Sequence, residues 1–154
     1  KTNGYNLLQV KDIDWCLCVI NKSKIKSLKL LDENYFLYFE TMDLCLNLIL
    51  NKHKFYVVKN LNFNHLGTSS SKAKFKSDIS LIRNWHYSWS KFYFYKKNYN
   101  YLYALRKCFL KLLKFPVMMI YYKITLNNEQ FDGNKYGFLG LFNSIIGKKS
   151  SYRI

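Results

Sequence analysis

Four carboxylates crowd into one short stretch, Asp32 to Cys45, DENYFLYFETMDLC: Asp32, Glu33, Glu40 and Asp43. The chain has only 9 acidic residues against 25 basic ones, so this concentration calls for a reason. A carboxylate at a helix start, facing a cleft, can take a proton from a hydroxyl group. The plainer alternative is that Glu40 and Asp43 are first-turn acids favoured by the helix dipole, worth a few tenths to about 1 kcal/mol each. The remaining candidate is His65, in the loop-like string NHLGTSSS from Asn64 to Ser71.

The elements that would position these residues follow from periodicity. Glu40 or Thr41 opens a predicted helix running to about Lys52. Met42, Cys45, Leu46, Ile49 and Leu50 form its buried face, with Asp43 and Asn47 opposite. His53 and Lys54 suit its C-terminal end. Ahead of it, Asp14 to Asn21 reads as a strand whose continuous apolar run fits a sheet buried on both faces. Residues 1–11 read as a frayed edge, 22–31 as a basic connector, Phe55 to Val58 as a second strand, and 61–74 as a loop. Ser77 or Asp78 caps a long helix to about Lys97, with Ile79, Ile82, Trp85 or His86, and Trp89 at helical spacing. His86 is expected to be packed or at a lipid interface. A further helix spans about Tyr99 to Phe115, where Pro116 should break or kink it. Residues 127–137 read as a turn region, and Tyr136 to Ile146 as a last short helix ended by Gly147.

Taken in order, DENYFLYFETMDLCLNLI, KFYVVKN and NHLGTSSS resemble the C-terminal half of the catalytic domain of family 2 glycosyltransferases, most of all the rhamnosyltransferase-type members. Phe36 to Glu40 with Asp43 to Cys45 match the family's acidic segment. His65, Gly67 and Ser69 match its H-x-x-G-x-S loop. RNWHYSWSKFYFYKKNY (Arg83 to Tyr99) and GLFNSIIGKKSSYR (Gly140 to Arg153) are similar to the tail of such enzymes.

The resemblance implies an α/β fold. Residues 1–75 would be the C-terminal part of a GT-A nucleotide-diphospho-sugar transferase domain, and 76–154 an α-helical, basic, aromatic-rich tail. It implies inverting transfer of a sugar, rhamnose among the candidates, from a nucleotide-sugar donor to a saccharide or lipid-linked acceptor. Glu40 or Asp43 would be the base, Glu40 slightly ahead because the family's usual Asp is Thr41 here. Asp32 and Glu33 would shape the acceptor side, and His65 would ligand a divalent metal, Mg or Mn. The chain departs from the family at Asn47, where Arg is usual, and in IDWCLCVINKS, which lacks an expected Gly. Asp12 and Asp14 have D-x-D spacing but precede a strand and lie too close to the base segment to be the family's motif, and its nucleotide-binding strands are not found, so the chain is expected to be a fragment, inactive alone.

Composition narrows the partners. Apolar residues make up 49% of 154, enough for a core. Cys16, Cys18, Cys45 and Cys108 contain no C-x-x-C and read as buried small apolar residues of a reducing compartment. Formal net charge is +16, and from Lys91 onward twelve Lys or Arg face only Glu129 and Asp132. With aromatics interleaved, this predicts a cytoplasmic protein held peripherally on an anionic inner membrane surface. The longest apolar run, Phe115 to Tyr122, is too short to span a bilayer. The competing readings are a non-catalytic membrane-surface module and a nucleic-acid-binding module. No RNP-like, Gly-x-x-Gly or helix-turn-helix signature supports the latter, so no nucleic-acid partner is expected.

Overall fold

The computed structural model describes residues 4–13, 17–25, 31–64 and 76–153. Among them lie strand β1 (Leu7–Val10), a 3-10 turn (Lys22–Lys24), α1 (Glu40–Leu50), β2 (Phe55–Val58), α2 (Lys76–Asn98), α3 (Tyr101–Ile124) and α4 (Asn128–Ile145). The chain divides into two units: Lys1–Asp32 with Glu40–Ser70, and Glu33–Phe39 with Ser71–Ile154.

The expected α/β architecture is overturned. Of the described residues 60% are helical and 6% lie in strands, and the one sheet among them has two strands, so this is not the C-terminal part of a GT-A fold. The predicted strand at 14–21 accounts for much of the difference. Leu17–Asn21 forms no strand; Leu17 and Val19 are 65% and 94% exposed, while Cys18 and Ile20 are half-buried. The segment therefore turns one side inward, not two. Trp15 and Cys16 lie outside the described residues. The strand forms instead at Leu7–Val10, in the stretch expected to be frayed, because its apolar residues pair with β2. The pairing is antiparallel, Leu7 opposite Val58 and Val10 opposite Phe55.

In the first unit Leu44, Cys45, Leu48, Phe55 and Ile25 form the core, with Val10, Ile13 and Ile20 against it. The face of α1 differs from expectation. Met42, Ile49 and Leu50 are exposed, and Asp43, expected opposite the buried face, is buried with Leu44 and Leu48. LCLNLIL is apolar at nearly every position, so its period does not choose a face. The helix closes at Lys52, which takes φ +61°, while the His53 amide donates to the Leu48 carbonyl and the Lys52 amide to Ile49.

The second unit is three helices. Asn100 caps α3, its side chain accepting from the Tyr103 amide at 2.8 Å, and Asn127 caps α4 by accepting from Gln130. α3 runs through Pro116 to Ile124, so the proline does not end the helix. α4 begins well before the expected Tyr136, within the predicted turn region, because Asn127 acts as a cap and not as a turn residue. Its glycines serve close packing. A Cβ on Gly140 would meet the Trp85 carbonyl oxygen at 2.1 Å, so α4 can lie against α2 only with glycine there. Phe92, Ala104, Cys108 and Leu141 complete the core. Of the cysteines, Cys45 and Cys108 are buried, Cys18 only partly.

Candidate active site: an acidic helix start and an aromatic strap

Glu40 is the first residue of α1 and Asp43 completes its first turn. Asp43 is 5% exposed. One carboxylate oxygen of Glu40, Oε2, is buried and has no hydrogen-bond partner among the described residues. An unsatisfied buried acceptor is a standing cost of roughly 1–3 kcal/mol. It is found where a group has another task or awaits a partner.

The chain enters this helix under strain. Tyr38 and Phe39 both have φ +67°, a left-handed conformation that costs an L-residue roughly 1–2 kcal/mol each. Such residues persist only where their surroundings hold them. Here the holder is one face of α2. The Ser90 hydroxyl donates to the Leu37 carbonyl at 2.8 Å, and Asn34 donates to the Tyr93 hydroxyl at 3.1 Å. Tyr35 meets Tyr93 edge-on at 5.1 Å, Tyr38 meets Tyr87 at 5.5 Å, and Phe39 lies 5.5 Å from Phe94. Residues 86, 87, 90, 93 and 94 recur at helical spacing, so one stripe of α2 receives the whole segment from 34 to 39.

Phe36 is held from two sides. Its ring lies 4.8 Å from the His86 ring, and the Arg153 guanidinium sits 3.6 Å above it. His86 is fully buried, as its packed reading expected. Its Nε2 lies 2.8 Å from the Tyr152 carbonyl and its Nδ1 3.0 Å from the Ser150 hydroxyl. A carbonyl only accepts, so Nε2 carries the proton and Nδ1 accepts from Ser150. Burial, and secondarily the Arg153 charge, push the His86 pKa below its ordinary value, against the Tyr152 carbonyl. Residues after α4 are thereby fastened to α2, and Trp89 adds a bond to the Lys148 carbonyl at 2.9 Å.

Glu40 and Asp43 thus share one helical turn. Asp32 is half-buried in the same unit, and Glu33 is exposed at the start of the strap in the other. His65 lies outside the described residues. Among the described residues no three His, Cys, Asp or Glu side chains form a metal-binding group. The α2 stripe and the His86–Arg153 fastening were not among the sequence candidates. Their signal was the aromatic spacing within RNWHYSWSKFYFYKKNY, which supports a second face besides the one through Trp85 and Trp89. No family model, curated protein or solved structure matches the chain.

Proposed function

We propose that the chain supplies the acid-bearing, acceptor-side part of an inverting glycosyltransferase. The sugar, rhamnose by resemblance, would move from a nucleotide-sugar donor to a saccharide or lipid-linked acceptor. The observation that carries this reading is the unpartnered, buried oxygen of Glu40 beside Asp43, at a helix start entered through two strained aromatics. One of these carboxylates takes the proton of the acceptor hydroxyl as its oxygen attacks the anomeric carbon. That bond forms as the bond to the nucleoside diphosphate breaks, and the configuration inverts. Asp32 would shape the acceptor side. A divalent ion would assist departure of the diphosphate.

The test is nucleoside-diphosphate release from a panel of nucleotide sugars, using protein from the complete reading frame. Glu40→Gln or Asp43→Asn, whichever removes the base, lowers turnover about a hundredfold or more with donor binding kept. Near-normal turnover in both variants refutes the assignment.

The same reading lays α3 on the anionic inner surface of a membrane. Leu102, Phe109, Leu113, Val117, Ile120 and Ile124 are all exposed. At helical spacing they fall on one side of α3, with Arg106 the charge among them and Lys107, Lys114 and Lys123 along the borders. No helix among the described residues is long and apolar enough to cross a membrane. Such a helix lies in the interface plane with its lysines at lipid phosphates. Co-sedimentation with anionic vesicles that weakens as salt rises supports this. Absence of binding to anionic and neutral vesicles alike removes it.

A further inference from the structure

On the side of α3 away from the apolar stripe, a cleft of about 220 Å³ opens between α2, α3 and α4. Beside the rings of Tyr87 and Phe115, its wall carries polar groups: Asn84 and Ser88 from α2, Gln130 and Asn134 from α4, and Lys111 from α3. That volume is smaller than the roughly 300–1,000 Å³ of pockets for drug-sized ligands, and suits a compact polar group.

Lys111 is the charged residue of the cleft. Its ammonium sits 4.5 Å from the centre of the Tyr87 ring, which orients it without neutralising it. The charged groups acting on it are Lys91 and Lys114, with the Cys108 thiol, and no carboxylate. Burial first, then Lys91 and Lys114, push its pKa down. A half-buried cation with like charges beside it and no acid lacks a counter-charge among the described residues. The side-chain amides around it can donate hydrogen bonds. The Asn134 amide nitrogen already donates to the Gln130 carbonyl at 2.7 Å, which fixes that side chain.

We propose that this cleft is a binding site for a phosphate group, mono- or diphosphate, with Lys111 as its cation and the amides of Asn84 and Gln130 as donors. Phosphate supplies the missing negative charge and several acceptor oxygens in a compact volume. The source is either a soluble phosphate ester or a lipid headgroup, and both present the same chemistry. The site does not depend on the transferase reading, because none of its residues belongs to the acidic turn.

The experiment is calorimetric titration of the full chain with inorganic pyrophosphate, alongside co-sedimentation with phosphatidic acid vesicles. Wild type binds at least one of the two probes, and Lys111→Met weakens that binding roughly tenfold or more. Lys59→Met, an exposed lysine just after β2, leaves it within about twofold. Binding to pyrophosphate identifies a soluble source, and binding to vesicles alone identifies a headgroup. Should Lys111→Met fail to fold, Gln130→Glu places a carboxylate on the exposed rim and weakens binding in the same way. No binding of either probe by folded wild type, or equal losses in the Lys59 and Lys111 variants, overturns the proposal.

Discussion

The unit of α2, α3 and α4 is closed by aromatic rings, whereas the unit of β1, β2 and α1 is closed mostly by small aliphatic side chains. Trp85, Trp89 and Phe92 are at most 3% exposed, and each ring finds a neighbour at a defined angle, as Trp85 and Trp89 do at 8°. The other unit has Leu44, Cys45 and Leu48 at its centre, and leaves Leu7, Leu8, Tyr56 and Val57 exposed on its sheet. A two-stranded ribbon of 4-residue strands is marginal alone. Rigidity and the candidate carboxylates are thus divided between the units. Glu40 and Asp43 stand in the lighter one, while the strap that leads into them belongs to the heavier one.

The most severe way to break this contrast is Phe92→Ala. Phe92 is fully buried, so its loss costs about 3–5 kcal/mol. Urea unfolding followed by near-ultraviolet circular dichroism measures it. The expected result is a large drop in the midpoint, with amide exchange at Phe55–Val58 little changed under native conditions. Equal loss of protection in β2 would mean that the two units unfold as one.

Gly140→Ala is next. The new methyl would stand 2.1 Å from the Trp85 carbonyl oxygen, which belongs to the backbone and cannot swing aside. Separation of α4 from α2 should cost about 1–3 kcal/mol, visible in the same urea experiment. A variant as stable as wild type would show that the helices are not so closely opposed.

Acid should act on the heavier unit through His86. Its folded pKa is lowered, so the unfolded chain binds the proton more readily. The stability is fully present above the unfolded pKa of about 6.5 and falls as pH drops from there towards the folded value, by at most about 1.4 kcal/mol per pH unit. His86→Gln should flatten that decline below about pH 6.5. An unchanged slope would show that His86 does not set it.

Parts of this were legible in the sequence. FYVV formed the expected strand, and the periods beginning near Asp78 and Glu40 formed helices. Three failures have physical causes. Asn127, Asp132, Gly133 and Asn134 look like a turn, but Asn127 is a cap, and Gly133 lies close to Asn84 on α2. Pro116 looks like a breaker, but the rest of a 24-residue helix carries it. WCLCVI looks like a central strand, but only alternate residues of its described part face inward. At the candidate site, spacing alone put Glu40 and Asp43 in one turn. The grip of α2 on the strap was not legible, because it depends on residues some fifty positions away, as in Ser90 to Leu37.

The most direct test of the strap is amide hydrogen exchange over residues 36–44 in wild type and in a Tyr87→Ala, Ser90→Ala double variant. The two substitutions remove the ring beside Tyr38 and the hydroxyl that holds the Leu37 carbonyl. The account predicts exchange at least tenfold faster across 36–44, equivalent to about 1.4 kcal/mol of lost protection, with Phe55–Val58 unchanged. Exchange at 36–44 equal to wild type, in a variant whose helices remain folded, would contradict it.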